Sequence, residues 1–505
     1  MRIHPNTKII YGPPGTGKTT ELIRQVSGLL EDTKPERIMF TSYTRTGAYV
    51  ARDRALEQFS YDKKHFRWFS TLHSICFRLL GMPKLMSNND KLDFGKSIGT
   101  SFTFTHTTED DLTISITKGD KMQHIHEMSI KTGEDIESVR VMHAREISKE
   151  AAQHFTTAYT DYKKANDVID FTDMLYLFMD LGVADMPDID YLIVDEAQDL
   201  FPLQWKVIEK LAAKAKELII AGDDDQCIHA WSGSTPEFLL NLEAEKKVLP
   251  QSYRIPKKVH TLAETIINKV SKRESKQYNP TEHEGELIHF DYLDNIPFDV
   301  HAEGSWLFLT RNRTFIERYS AACYKKCIVY TSVCGSTDSS FQTAIVTWKK
   351  LMDGNSITGK DAKQLYHMLK TRDRVKHSYK KVLEEALEDE EMVRNEDLVD
   401  QFGLLYQGRW QGAFFDRSQF EIDYYTRVDE GYGFADKPLV RLSTIHSAKG
   451  DEADNVVIIP DMTPRTARGY REDPDNEHRV FYVGVTRAKQ RLYIGSPMAA
   501  NYYEF

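Results

Sequence analysis

Gly12-Pro13-Pro14-Gly15-Thr16-Gly17-Lys18-Thr19, near the start of the chain, brings together residue types that act on phosphate. Its glycines let backbone N–H groups wrap phosphate oxygens, Lys18 supplies a cation to the β and γ oxygens, and the Thr19 hydroxyl can ligate Mg²⁺. Pro13, Pro14, Thr16 and Thr20 count among the nucleotide-binding positions of the same loop. The loop follows an apolar run and opens a helical pattern, the context that separates a phosphate cradle from a chance glycine turn. A second apolar run, from Tyr191, ends in Asp195-Glu196-Ala197-Gln198-Asp199. A carboxylate at a strand tip suits Asp195 to holding Mg²⁺, and Glu196 beside it suits orienting and deprotonating an attacking water. Alone, an Asp-Glu pair after a strand more often caps the next helix; the phosphate loop upstream favours catalysis. Together the two motifs imply an NTPase that works with Mg²⁺, without saying what the energy is used for.

Such groups need strands to carry them. Runs of strand length occur at Lys8–Tyr11, Arg37–Thr41, Tyr191–Val194, Glu217–Ala221, Ser305–Thr310, Val440–Thr444, Asn455–Ile459 and Arg491–Ile494, with helical patterns between them. That alternation indicates an α/β fold with parallel sheets. The runs form two groups, each interrupted by a stretch without the rhythm. The expected organisation is a first α/β domain over 1–81 and 151–249 with an insertion at 82–150. A second α/β domain covers 250–334 and 438–505, with an insertion at 335–437. Both insertions are expected to be mainly helical.

Further motifs follow in a fixed order: Ile220-Ala-Gly222-Asp-Asp-Asp-Gln226-Cys-Ile-His229-Ala-Trp231, then Leu249-Pro-Gln-Ser-Tyr253-Arg254. Ser443-Thr444-Ile-His446-Ser-Ala-Lys449-Gly450-Asp-Glu452 and Tyr482-Val-Gly-Val-Thr486-Arg487-Ala-Lys489 come near the end. With Tyr43-Thr-Arg45, Ser70-Thr71-Leu-His73-Ser and Val168-Ile-Asp170-Phe171, this succession resembles superfamily 1 DNA helicases of the UvrD/Rep/PcrA branch, here in a compact form such as a virus would carry. The resemblance implies two RecA-like domains with ATP between them. It implies Arg254 and Arg487 on the second domain, acting on the transferring γ-phosphate, and Gln226 reporting its presence to the DNA side. Tyr253 would stack on adenine and Glu452 approach the ribose. For the DNA track it implies Tyr43 and Trp231 as stacking aromatics, with Arg45, Thr71, His73, Thr444 and His446 at or near the strand. The implied activity is ATP-dependent translocation on single-stranded DNA, 3′→5′, with unwinding of duplex in replication, repair or recombination. A translocase that strips proteins from DNA, a non-hydrolysing ATP-binding regulator and an RNA substrate are the rival readings.

Some positions depart from that pattern. No glutamine precedes Gln25, so the upstream adenine-reading element is missing or replaced, and other NTPs are admissible. His229 stands where tyrosine is usual and Ser232 where arginine is usual, and the Tyr43 motif is divergent. These changes touch coupling and DNA elements, not phosphate chemistry.

The composition frames the partners. The 505 residues carry a net charge of −10, which argues mildly against nucleic acid. Yet Lys34 to Arg78 holds nine Lys/Arg against four Asp/Glu, while Glu384 to Glu391 is nearly all acidic. A local basic strip remains compatible with a DNA track. No run of eighteen apolar residues suggests a membrane span and the start MRIHPNTKII does not read as a secretory signal, so a cytoplasmic or nucleoid location is expected. Five cysteines favour a reducing compartment. Cys323, Cys327 and Cys334 lack the fourth ligand that zinc needs, and packing is their expected role.

Overall fold

The computed structural model describes residues 3–42, 45–58, 61–103, 117–292, 304–334, 337, 339–431, 433–434 and 440–505. The first sheet contains β1 (Thr7–Tyr11), β2 (Ile38–Ser42), β3 (Phe69–Thr71), β4 (Tyr191–Asp195), β5 (Glu217–Gly222) and β6 (Glu245–Val248), in the order β3-β2-β4-β5-β1-β6. All its pairings are parallel. Side chains alternate between the two faces. Ile9, Tyr11, Leu192, Val194, Leu218 and Ile220 join one core, while Ile10, Phe40, Ile193, Ile219 and Ala221 join another. Strands covered on both faces must be apolar throughout, which is why the central runs are continuous. The register sets Ser42 opposite Asp195 and Tyr11 opposite Gly222. The residues that follow the central strands therefore gather at one carboxyl edge, where open parallel sheets bind ligands.

Between β3 and β4, the helices Asn88–Ser97, Lys118–Thr132, Ile136–His143 and Lys149–Ala165 share a core around Phe94, Ile125, Val139, Phe155 and Tyr159. The packing of this helical insertion thus runs past residue 150, through the helix that ends at Ala165.

The chain divides into two compact units, one of residues 1–287, 462–492 and 501–505, the other of 288–461 and 493–500. In the first unit, the helix Lys257–Ile267 packs on the helix Pro474–Val485, and the latter also packs on the turn Asp224–Gln226. The reason is a buried ion cluster. Lys276 Nζ lies 2.9 Å from both Asp223 and Asp225 and also contacts Asp224. Arg273 pairs with Asp225 at 2.6 Å, and Arg479 donates to the Asp224 carbonyl at 3.0 Å. Burial lowers the Lys276 pKa, but the three carboxylates outweigh it and the net shift is upward.

A second sheet has β7 (Glu286–Phe290), β8 (Trp306–Thr310), β9 (Tyr330–Ser332), β12 (Val440–Thr444), β13 (Ala453–Ile458) and β14 (Ala488–Gly495), ordered β7-β14-β13-β8-β12-β9. The strands β8, β9, β12 and β13 pair in parallel. Between β9 and β12 a helical subdomain is built around Phe341, Trp348, Trp410 and Tyr425, with a small antiparallel ribbon of β10 (Ile357–Thr358) and β11 (Met392–Val393). The molecule is therefore α/β with two parallel-sheet domains, each interrupted by a mainly helical insertion. Cys76, Cys227 and Cys323 are buried, and Cys334 accepts from Arg313 Nε at 3.0 Å. Among the described residues no helix is long and apolar enough to cross a membrane.

Candidate nucleotide site and nucleic-acid track

The loop after β1 closes tightly. Thr16 donates from both its N–H and its hydroxyl to the Pro13 carbonyl, at 3.1 and 2.8 Å. Gly15 and Gly17 have φ of +74° and +77°, a left-handed backbone that favours glycine. At Gly12 a Cβ would lie 1.7 Å from Lys18 Cγ. Gly17 begins the helix Lys18–Leu29 without a side-chain cap, so the first N–H groups point outward as an anion site.

Lys18 is buried, with Nζ 3.2 Å from Glu196 Oε2. Burial depresses its pKa, but the charges of Glu196, Asp223 and Asp195 more than reverse this, and it stays a cation. Thr19 Oγ1 donates to Asp195 Oδ2 at 3.4 Å. Asp195 is driven above the usual carboxylate range by burial and by the neighbouring Glu196 charge. A hydroxyl and a buried carboxylate side by side, backed by a second carboxylate, fit Mg²⁺, which binds through one or two carboxylates together with substrate phosphates. Glu196 has φ of +54°, a left-handed conformation unusual for a non-glycine residue and one that concentrates at functional sites.

The strap after β6 lies against this cradle. Ser252 Oγ donates to the Pro14 carbonyl at 2.9 Å, and Tyr253 N–H donates to the Gly15 carbonyl at 2.8 Å. A Cβ on Gly15 would come within 2.5 Å of Arg254 Cβ. Arg254 is therefore beside the phosphate loop, and the Tyr253 ring is 78% exposed, open to stacking. Arg487 is buried at the end of the helix Pro474–Val485. It donates from Nε to the Val483 carbonyl at 2.9 Å and from Nη2 to Thr486 Oγ1 at 3.3 Å. The motif order places both arginines on the second domain; their segments lie in the unit of residues 1–287, 462–492 and 501–505, while Arg487 directly precedes β14 of the second sheet. Glu452, Thr444 and His446 belong to the second unit. There Thr444 Oγ1 accepts from Ser447 N–H at 3.2 Å, and the Glu452 carbonyl accepts from Arg441.

These two halves of the motif order correspond to two family matches. Residues 3–247 match the UvrD/REP helicase N-terminal domain and residues 427–497 the UvrD-like helicase C-terminal domain. The chain belongs to the UvrD/REP helicase family. It is 27% identical over 301 residues to the ATP-dependent DNA helicase PcrA of Leuconostoc citreum, covering 53% of this chain and 38% of that protein. It is 26% identical over 295 residues to the probable DNA helicase II homolog of Mycoplasma pneumoniae, covering 53% and 41%. The matched region thus spans about two-fifths of the length of these relatives. The crystal structure of Arterivirus nonstructural protein 10 (helicase) aligns over 98% of this chain and 60% of its own, at 12% identity and a TM-score of 0.36.

Of the residues that the motif order suggests for a DNA track, Tyr43 lies outside the described residues, as does the side chain of Arg45 at the start of the helix Arg45–Gln58. Thr71 caps the helix Leu72–Leu79, accepting from Ser74 N–H at 3.4 Å. Burial and the Lys131 charge push His73 down to about 4, so it is neutral at neutral pH, and its ring meets exposed Phe171 edge-on at 6.0 Å. Trp231 is half-buried on the turn Ala230–Ser232. Its Nε1 is enclosed without a hydrogen-bond partner among the described residues, and its ring is edge-on to His229 at 6.2 Å.

Two further residues matter to which the motifs assign no role. Gln198, fully buried, donates from Nε2 to Glu196 Oε2 at 2.5 Å and accepts the Asp223 N–H on Oε1 at 3.0 Å. Asp223 Oδ2 in turn accepts from Gln226 Nε2 at 2.7 Å, and Gln226 reaches the Gly12 carbonyl at 3.5 Å. Glu196 and Gln226 are thereby coupled through one amide. Ser252 is the second, pinning the strap to the loop. Gln198 stands in the Asp-Glu-Ala-Gln run and Ser252 in the Leu-Pro-Gln-Ser-Tyr-Arg run, which are their signals in the sequence.

Proposed function

We propose that the chain is an ATP-driven motor that moves 3′→5′ along single-stranded DNA and opens duplex ahead of it, in replication, repair or recombination. The observation that carries this reading is the hydrogen-bonded path from the phosphate cradle to Gln226, on the segment that leads to Trp231. Lys18, Glu196, Gln198, Asp223 and Gln226 are linked by hydrogen bonds and ion pairs, and Trp231 stands five residues beyond Gln226.

In this mechanism the loop N–H groups and Lys18 bind the ATP phosphates, while Thr19 and Asp195 hold Mg²⁺. The metal, when bound, neutralises charge on the β and γ oxygens. Glu196 orients the attacking water and takes its proton. Arg254, beside Gly15, and Arg487 stabilise charge on the transferring group; an arginine in that role is worth about 10³–10⁵ in rate. Gln226 shares Asp223 with the amide that holds Glu196, so a change at the γ-phosphate shifts the turn leading to Trp231. Tyr253 offers an open ring to the base of the nucleotide, and Glu452 is assigned to the ribose. Trp231, Tyr43, Arg45, Thr71, His73, Thr444 and His446 are the positions assigned to the track. Stacking on an aromatic ring contributes about 1–3 kcal/mol per base and ignores base identity, which suits a motor that must release every nucleotide. The domain limits proposed for this motor are 1–81 with 151–249, the helix Lys149–Ala165 at that boundary packing with the insertion, and 250–334 with 438–505.

The test is ATP turnover with and without oligodeoxynucleotide and oligoribonucleotide of one sequence. Stimulation by DNA well above RNA is the expected result. Stimulation by RNA alone would move the substrate assignment, and no turnover under any condition would leave a nucleotide-binding regulator.

A further inference from the structure

Far in sequence from the phosphate loop, the helices Lys118–Thr132 and Ile136–His143 meet the helix Pro464–Glu472 around a cavity of about 340 Å³. Its lining brings together Lys121, His124, His143, Arg145, Arg465 and Arg468. Four are fixed cations. The carboxylates at the rim are Glu146, which pairs with Lys121 at 2.5 Å, and Glu472. The volume falls in the range of small-molecule sites, about 300–1,000 Å³, and exceeds what a bare ion would need.

One atom inside is unexplained by the protein itself. His124 Nε2 is enclosed and has no hydrogen-bond partner among the described residues, although polar atoms this deep are ordinarily satisfied. The ring packs edge-on against His143 at 5.0 Å. Burial lowers the pKa of both imidazoles, helped at His124 by the neighbouring His143 and at His143 by the charge of Arg465. A neutral imidazole can still donate one N–H, and an unsatisfied enclosed donor costs about 1–3 kcal/mol. Guanidinium forks match phosphoryl oxygens in geometry and bind them more strongly than neutral donors do. An anion seated here would lie beside the His124 ring and offset the excess of positive charge along the lining.

We propose that this cavity is a second phosphoryl-binding site, taking either the phosphodiester of a nucleic-acid strand or the phosphates of a free nucleotide. The strand form extends the motor reading above and rests on it; the nucleotide form does not.

The test uses the full chain and three variants. R465E/R468E reverses two rim charges, H124F fills the interior without changing net charge, and K360E/K381E reverses two exposed lysines elsewhere. Binding of fluorescein-labelled oligothymidylate is followed by anisotropy across a KCl series. Binding of pyrophosphate is followed by calorimetry in a K18A background, which silences the first site. Melting curves confirm folding, and basal ATP turnover is expected to be unchanged in all three. If the strand is the ligand, R465E/R468E and H124F weaken oligothymidylate about tenfold, as removal of charge-assisted hydrogen bonds should. The slope of log K against log[salt] in R465E/R468E then also falls by about 0.7 for each phosphate no longer neutralised, and K360E/K381E does neither. If only pyrophosphate binding is lost, the site takes free nucleotide phosphates. If neither ligand responds to H124F, or if K360E/K381E weakens the strand as much as R465E/R468E does, the pocket is not a phosphoryl site. A wild type that binds pyrophosphate but no strand would defeat the motor reading while leaving the pocket standing.

Discussion

Glu196 holds a left-handed backbone at a strand tip, a carboxylate beside a buried ammonium and a hydrogen bond from Gln198. Its position suits it to take a proton, whereas Lys18 holds charge. The two substitutions therefore separate. Lys18→Ala is expected to abolish turnover and weaken nucleotide binding. Glu196→Gln should abolish turnover while fluorescent ATP still binds; normal turnover in that variant would remove Glu196 as the base. Trp231 can be separated from core packing in a similar way. Trp231→Ala should weaken single-strand binding by about 1–3 kcal/mol with basal turnover intact, and Trp231→Phe should restore most of it. A core tryptophan would instead cost about 3–5 kcal/mol of stability, with melting temperature and basal turnover falling together. The phosphate cradle was legible because its residues are consecutive and the loop demands glycine at left-handed positions. The partners of Gln198 and Ser252 were not, since they lie 25 and 238 residues away and meet these residues only in the folded chain.

At the level of elements, legibility followed burial. The eight apolar runs correspond to β1, β2, β4, β5, β8, β12, β13 and β14, the interior strands of the two sheets. The edges β3, β6, β7 and β9 carry no comparable signal. An edge strand faces water along one side and resists pairing with other chains by carrying charge or staying short. β6 is Glu-Lys-Lys-Val and largely exposed; β3 and β9 have three residues each. Lys276 was equally invisible, a lysine in a polar stretch that proves to be buried against three carboxylates. Removing one partner of a buried pair typically costs about 3–5 kcal/mol. Lys276→Met should lower the melting temperature sharply, and Lys276→Arg should recover part of the loss. An unchanged melting curve for Lys276→Met would mean that the cluster contributes nothing to holding the turn Asp224–Gln226.

For the molecule as a whole, the family and both parallel sheets were readable from motif order and strand rhythm. The grouping of the helix Pro474–Val485 with the turn Asp224–Gln226 was not, because it depends on Arg479, Arg273 and Lys276 meeting Asp223–Asp225. That grouping brings the Arg487 segment into the same compact unit as the phosphate loop. Arg487→Ala is expected to keep nucleotide affinity within about tenfold while turnover falls by orders of magnitude, because such an arginine acts on the transition state. Collapse of binding with normal turnover at saturating ATP would make it a ground-state ligand instead. The central claim, a motor that opens duplex DNA, is tested most directly by strand displacement on duplexes bearing a 3′ or a 5′ single-stranded tail. The account predicts ATP-dependent displacement from the 3′-tailed duplex, little from the 5′-tailed one, and none with Glu196→Gln. Displacement from neither tail by a protein that hydrolyses ATP on DNA would contradict unwinding and leave a translocase; displacement from the 5′ tail alone would contradict the direction of travel.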